Sequence, residues 1–382
     1  MMRVCCVGVL ALVLPASLVA QGNVSTQGFG YPPGQLSTRA EGGAGAFGEF
    51  DAQSPINPAA IASDRTTQIH FQYDPEFRTV DVGNTHETST TSRFPLAMIS
   101  GPIWGGGAIA LSWSTLLDRT FQVSQTSLIN NPNTNQRDTL TSTIQSSGGI
   151  NDIRLTAAWA FGSWLAIGGG FDLFTGENRL LQQVTVTDTI PNQYSQSQFK
   201  NSLSYDGVGA SGGITMRPVK WLGLAGSFRY GGGISVREGD SATVAHGLIP
   251  ARVGGGLLLN PLQGLLISAR YDWEEWSRLN LLEHGDLQAQ NGGGWSVGAD
   301  IEGPKLGTNR YITLRVGGGN RPLPYVLDGV SIHETDISGG LGIPLLLQRS
   351  VLDVSIIHAD RTPVLGISEK AFILSVGLTI RP

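Results

Sequence analysis

The chain has 382 residues, of which 52 are glycine and only 14% are charged, with a formal net charge of −5. The mildly acidic balance provides no basic surface for nucleic acid. After residue 20, no stretch approaches the ~18 uninterrupted apolar residues that a membrane helix needs. The composition therefore argues against both a nucleic-acid-binding protein and a helical membrane protein, and it favours β structure.

The first twenty residues have the layout of a secretory signal peptide. A short basic start at Arg3 precedes the apolar run Val4–Leu14 and a small-residue stretch that ends at Ala20. The apolar run is too short to span a bilayer, so we expect cleavage after Ala20 and export of the chain. Cys5 and Cys6 both lie inside this leader. The mature chain therefore forms neither a disulfide nor a thiolate metal site.

Residues 21–66 precede the first alternating segment and are rich in Gly, Ala and Pro. Such a composition fits two interpretations, a flexible leader or a plug folded into a larger structure. The residues alone favour neither.

From residue 67 onwards, apolar and polar residues alternate in many short runs. The clearest run is Leu265–Glu274, in which one face is apolar and aromatic (Ile267, Ala269, Tyr271, Trp273) and the other is polar and charged (Ser268, Arg270, Asp272, Glu274). A strand places these two sets on opposite faces of a sheet. The charged face meets water in a soluble sandwich, whereas it lines a lumen in a transmembrane barrel.

The connections between the runs favour the barrel. Short turns such as Ala160–Ser163 and Arg217–Lys220 alternate along the chain with long polar stretches such as Asp118–Ser147, Thr175–Ser204 and Gly231–Leu248. Outer-membrane barrels have this alternation of periplasmic turns and extracellular loops. Counting the runs predicts an all-β, transmembrane antiparallel barrel of about 14 strands, each of the ~9–11 residues that a tilted membrane strand requires. The even number places both ends of the barrel on the periplasmic side.

Charged residues recur on the predicted lumen face of these strands. The candidates for lining the lumen are Arg229, Arg252, Arg270, Asp272, Glu274, Arg315 and Asp353, together with Asp152, Arg154 and Asp172. Buried charges need partners, so we favour a mutually neutralising ladder over direct contact with a substrate. The eight tryptophans lie near the ends of the runs, which is typical of interfacial girdles (Trp104, Trp113, Trp159, Trp164, Trp221, Trp273, Trp276, Trp295).

No catalytic, cofactor or metal site is predicted. The six histidines have no metal-ligand spacing, and the chain lacks the Gly-x-Ser-x-Gly elbow of serine hydrolases. The glycine triplets that begin at Gly168, Gly231 and Gly254 lie in or beside strands with no following helix or Lys-Ser/Thr pair. They therefore lack the basis of a phosphate loop, and close packing or strand bending explains them better. We expect a protein that is not an enzyme.

A family resemblance favours the plug interpretation of residues 21–66. The run from Arg39 and Ala40 through Asp51 to the motif Asn57-Pro58-Ala59 resembles the N-terminal hatch of the FadL/TodX outer-membrane transport family. The strand pair around Ile249-Pro250-Ala251-Arg252 and Tyr271–Ser277 is similar to later strands of that family. This resemblance implies a 14-stranded barrel with the hatch in its lumen, and it implies that Arg39, Asp51, Asn57, Pro58 and Ala59 are hatch or gating residues.

The expected organisation is a signal peptide at 1–20, a hatch at 21–66 and an outer-membrane barrel at 67–382. The resemblance implies passive uptake of hydrophobic small molecules such as long-chain fatty acids, gated by the hatch. Two alternatives remain open: an interaction barrel of a secretion system, like the related PorV-type proteins, and a general porin. The expected partners are a hydrophobic substrate, outer-membrane lipid, the barrel-assembly machinery during biogenesis and, in the secretion alternative, secretion-system proteins.

Overall fold

The computed structural model describes residues 30–82, 85–131, 137–187, 196–239, 243–282, 289–306, 311–327, 330–345, 349–364 and 367–382. The expected signal peptide lies outside these residues. Short helical turns occur at Thr38–Glu41, Gly48–Phe50, Pro58–Ser63, Trp104–Gly106 and Trp276–Leu282. None of the helices in the described ranges has the length and apolar character that crossing a bilayer requires.

Most of the described chain is β-strand, and all the strands belong to one sheet. The strands of the first half are β1 (Gln68–Val82), β2 (Thr85–Arg93), β3 (Leu96–Pro102), β4 (Gly107–Asp118), β5 (Phe121–Asn130), β6 (Arg137–Phe161), β7 (Leu165–Thr187), β8 (Ser197–Val219) and β9 (Leu222–Glu238). The strands of the second half are β10 (Thr243–Leu248), β11 (Arg252–Leu262), β12 (Leu265–Glu274), β13 (Gly292–Lys305), β14 (Tyr311–Leu327), β15 (Val330–Leu345), β16 (Ser350–Val364) and β17 (Ile367–Ile380).

The sheet closes on itself as an antiparallel barrel. The last strand, β17, pairs with β1 from Ile69↔Ile380 to Val82↔Ile367. Three passes are each interrupted once, between β2 and β3, between β4 and β5, and between β10 and β11. Two of these breaks contain Pro95 and Pro250, which have no N–H to donate to a neighbouring strand. Joining the interrupted pairs gives 14 passes, so the predicted strand number and closed barrel are confirmed.

The barrel wall is apolar outside and polar inside, the reverse of a soluble protein. On β1, Phe71 and Phe77 are about half exposed on the outer face, whereas Glu76 and Arg78 are buried on the inner face. Trp104, Trp164 and Trp221 are exposed beside the short turns of one end. An apolar outer belt with an aromatic girdle is what lipid contact requires. Trp276 is an exception to the predicted girdle, because it is buried inside the lumen.

The barrel has two distinct ends. We call the end where β1 begins and β17 finishes the terminal end, and the opposite end the loop end. The prediction of long loops is wrong in large part, because strands β5 to β10 run through the stretches Asp118–Ser147, Thr175–Ser204 and Gly231–Leu248. Residues such as Gln122, Ser124 and Glu177 are polar and exposed there. Alternation between apolar and polar faces therefore disappears where a strand extends beyond the apolar belt.

Candidate functional site

Residues 30–67, which we call the lumen segment, are hydrogen-bonded to inward-facing side chains from all round the barrel. Gln35 Nε2 donates to Ser114 on β4 and Asp152 on β6 at 2.7 and 2.9 Å. Ser268 on β12 donates to the Ala46 carbonyl at 2.7 Å. Tyr31 pairs with Asp118 through the backbone near the loop end. The segment then descends through the lumen to Thr67, beside Gly101 at the terminal end.

Two of the predicted hatch residues hold the lumen segment in shape. Asp51 accepts hydrogen bonds from Ser37 Oγ at 2.5 Å and Ser54 Oγ at 2.7 Å, so it joins two turns of the segment. Asn57 caps the turn Pro58–Ser63 by accepting from the Ala59 N–H at 3.0 Å. Its amide nitrogen donates to the carbonyl oxygens of Glu49 and, across to β8, Ile214. Asn57 therefore connects the segment to the wall.

Glycines of the barrel wall provide the space into which the lumen segment packs. A methyl group added at Gly168 would lie 2.5 Å from the Pro58 carbonyl carbon, and one at Gly213 would overlap the Asn57 side chain. On the opposite wall, Gly298 and Gly317 would both meet the backbone of Gly43. The close packing predicted for the glycine triplets is present at Gly168. At these inner-wall positions a side chain larger than hydrogen would collide with the lumen segment.

Buried ion pairs form a charged layer around the segment, in three clusters. The Glu49 cluster consists of Glu49, Asp152, Arg154, Asp172, Arg229, Arg252, Arg270, Asp272 and Glu274. Its two parts are joined by Gln35, which donates to Asp152 and accepts from Arg229. The Arg315 cluster consists of Arg39, Asp300, Arg315 and Asp353. The structure thus brings all ten predicted lumen-lining residues into two clusters, one of which also contains the predicted hatch residue Arg39. Arg252 binds Glu49 of the segment at 2.7 Å, so the ladder joins wall and segment.

The third cluster, which we call the Tyr31 cluster, was not predicted from the sequence. Glu76, Asp118, Glu334 and Glu369 pair there with Arg78, Arg93, Arg321 and Arg361. The guanidinium carbons of Arg93, Arg321 and Arg361 lie 5.0, 5.3 and 5.0 Å from the centre of the Tyr31 ring. The alternation of Gln72, Asp74, Glu76 and Arg78 with Tyr73, Pro75 and Phe77 is the local signal that could have revealed this face.

Directly towards the loop end, the lumen changes from charged to apolar. Ile150 lies two residues from Asp152 on β6, Phe174 lies two residues from Asp172 on β7, and Ile332 lies two residues from Glu334 on β15. In each pair the apolar residue is the one nearer the loop end. These side chains belong to one buried cluster that we call the apolar layer: Tyr31, Val80, Leu116, Leu117, Ile150, Phe174, Tyr205, Ile234, Val236, Ile249, Trp276, Leu279, Ala289, Leu323, Tyr325 and Ile332. A polar solute cannot cross such a layer without losing its hydration.

Two cavities lie on opposite sides of the lumen segment. The first, of about 130 Å³, lies where the two layers meet, between Tyr31, Leu36, Trp276 and the inner faces of β12 to β17. The second, of about 420 Å³, opens towards the terminal end and is lined mainly by polar and charged groups, including Arg39 and Asp300. We call them the junction cavity and the terminal cavity. The segment separates them.

The wall has a gap near the loop end. In the part of the chain that the structure describes, β3 pairs with β4, but no backbone pairing joins β2 to β5. A space of about 500 Å³ lies between them, lined mainly by Thr, Ser and Gln side chains and, at its inner side, by Val80 of the apolar layer. Val80 places the inner side of this gap at the edge of the apolar layer.

Among the described residues, no three His, Cys, Asp or Glu side chains are arranged to hold a metal ion. His70 is buried, and its Nδ1 lies 3.0 Å from Thr379 Oγ1.

No family model and no curated protein sequence matches the chain. Solved structures do. The toluene transporter TbuX of Ralstonia pickettii is 12% identical with a TM-score of 0.58, over 91% of this chain and 98% of that one. The monoaromatic hydrocarbon channel CymD is 13% identical with a TM-score of 0.55, over 91% and 97%. The Pseudomonas putida toluene transporter TodX is 12% identical with a TM-score of 0.53, over 85% and 92%.

The chain has the fold of these hydrocarbon channels. At such low identity the likeness concerns architecture alone, and it confirms the barrel that the FadL/TodX resemblance implies.

Proposed function

We propose that the chain is an outer-membrane channel for passive uptake of hydrophobic small molecules, and that the lumen segment is its hatch. The observation that carries the proposal is the apolar layer inside the barrel. A general porin keeps a polar, water-filled lumen, whereas here a solute must pass buried apolar side chains before it reaches the charged layer. Hydrophobic solutes can do so at little cost, and polar ones cannot.

The direction of transport follows from the barrel's orientation. Short turns and both barrel ends face the periplasm in outer-membrane barrels, so the loop end would face outward. A hydrophobic molecule would enter the apolar layer first, through the loop end or the gap beside β5, and would then meet the junction cavity. The lumen segment lies between that cavity and the terminal cavity. Passage to the periplasm therefore requires the segment to shift, which is the gating that we propose.

Two substrate classes fit this outline. The resemblance to the FadL/TodX family implies long-chain fatty acids, and the printed names of TbuX, TodX and CymD concern toluene and monoaromatic hydrocarbons. Both classes are apolar over most of their length. Flux of each class into liposomes, compared with protein-free liposomes, tests whether either one crosses.

Removal of the hatch tests the gating. We expect liposomes that carry the variant lacking Gln21–Ser63 to admit small hydrophilic solutes that the wild type excludes, because the plug and its ion pairs are gone. The variant must still show the heat-dependent electrophoretic mobility of a folded barrel. If the folded variant admits such solutes no faster than the wild type, the segment is not the barrier.

A further inference from the structure

The junction cavity has an apolar side that suits a single aromatic ring. Leu36 and Pro32 of the lumen segment face Trp276 and the inward-pointing Ile357 and Ile373, which pair with each other across β16 and β17. The cavity volume is about 130 Å³, and an apolar cavity of about 150 Å³ is known to hold benzene. The space is therefore on the scale of a single aromatic ring, and a substituent on that ring would have to extend towards the polar side of the lining.

The arginines that reach this cavity are already committed to carboxylates. Arg270 lies 2.9 Å from Asp272, and Arg321 lies 2.6 Å from Glu334. Within the described residues, the cavity lining contains no lysine or histidine. An anionic ligand would have to break one of these pairs to find a cation, which is costly in a buried setting.

Two carboxylates of the lining have no such partner. In the described part of the chain, neither Glu41 nor Asp336 has an arginine or lysine within 4.0 Å. Glu41 accepts from Gln72 Nε2 at 3.1 Å, and the same amide group donates to Asp74 at 2.9 Å. Both side chains are half-buried. A partly desolvated carboxyl without a cation nearby would be stabilised as an anion by a cationic ligand in the cavity.

We propose that the junction cavity selects hydrophobic amines, such as a monoaromatic ammonium compound, over neutral and anionic analogues of the same shape. The ring would occupy the apolar side, and the ammonium group would lie between Glu41 and Asp336. This inference rests on the proposed uptake of hydrophobic molecules and names the head-group charge that the same passage prefers. Fatty acid carboxylates would be the least favoured class.

The test uses three ligands that differ in charge but little in size: benzylamine, benzyl alcohol and benzoate. Binding to the detergent-solubilised full barrel at neutral pH should follow that order. We expect benzylamine to bind about tenfold or more tightly than benzyl alcohol, as one charge-assisted hydrogen bond provides. If the wild-type protein binds benzylamine and benzyl alcohol with equal affinity, or binds benzoate more tightly than benzylamine, the inference is overturned.

Near-isosteric variants locate the preference. Asp336→Asn and Glu41→Gln should each reduce the ratio of benzylamine to benzyl alcohol affinity while leaving benzyl alcohol binding unchanged. Glu238→Gln, at an exposed carboxylate on β9, is the matched control and should keep the wild-type ratio. A preference that survives both cavity substitutions would place the selection elsewhere and refute the assignment.

Binding of the neutral ligand separates this inference from the function on which it rests. If the wild-type barrel binds neither benzyl alcohol nor benzylamine, the hydrophobic passage itself fails. If benzyl alcohol binds and benzylamine binds no more tightly, only the charge selection fails.

Discussion

The charged layer and the apolar layer share the same strands and differ by a shift of two residues along them. In the charged layer, the lumen segment packs on glycines and its carboxylate Glu49 pairs with wall arginines. In the apolar layer, only Tyr31 of the segment takes part, and wall side chains fill the space with one another. The difference separates two roles in the proposed channel: ion pairs hold the lumen segment to the wall, and the apolar side chains would decide which solutes reach it.

The largest effect on stability should come from the charged layer. Arg361 is fully buried and pairs with Glu76, Glu334 and Glu369. Arg361→Met would leave these carboxylates short of a cation, so we expect a loss of about 3–5 kcal/mol in the free energy of unfolding. Urea titration in detergent, followed by tryptophan fluorescence, measures it. Arg179→Met removes an ion pair of the same type from an exposed site and should cause no measurable change; similar losses in both would mean that burial is unimportant.

A polar group in the apolar layer should affect transport as well as stability. Ile234 is 1% exposed on β9, and Ile234→Asn would bury an amide among apolar neighbours. We expect a cost of about 2–4 kcal/mol and slower flux of hydrophobic compounds into liposomes. His246→Asn, at an exposed position of the adjacent strand β10, is the control. Unchanged hydrophobic flux through a folded Ile234→Asn barrel would remove the apolar layer from the route.

A smaller effect should separate glycines that seat the segment from those that do not. Gly317→Ala would overlap Gly43, whereas nothing lies within 4 Å of a methyl group at Gly233. We expect Gly317→Ala to cost about 1–3 kcal/mol as an overpacked contact and Gly233→Ala to cost much less. In the variant lacking Gln21–Ser63 the cost of Gly317→Ala should vanish, because its steric partner is gone. If Gly317→Ala destabilises the deletion variant as much as the full chain, the cost comes from the strand itself and not from contact with the segment.

Sequence periodicity predicted the barrel and most of the charged layer, because a strand that meets lipid on one face must alternate. The same logic failed where that contrast ends. Beyond the lipid belt, neighbouring residues such as Gln125 and Thr126 are both polar although they lie on opposite faces, so β5 was interpreted as a loop. In the stretch Gly231–Leu248, Ile234 and Val236 of the apolar layer alternate with Ser235 and Arg237, but there the apolar residues face the lumen, and the stretch was also interpreted as a loop. The Tyr31 cluster joins residues up to 303 positions apart, as in the hydrogen bond from Tyr31 to Glu334, and no local pattern encodes such a contact.

The central claim is that the lumen segment must move for a substrate to pass. Thr38 Oγ1 and Ser375 Oγ lie 2.8 Å apart across the interface between segment and wall, and both cysteines of the natural chain lie in the expected signal peptide. The double variant Thr38→Cys, Ser375→Cys can therefore form one reversible disulfide that fixes the segment to β17. Flux of a hydrophobic compound into liposomes, measured before and after reduction, is the most direct test. We expect flux to be blocked in the oxidised form and restored by reduction. Equal flux in both forms, with the disulfide verified by mass spectrometry, would contradict hatch gating.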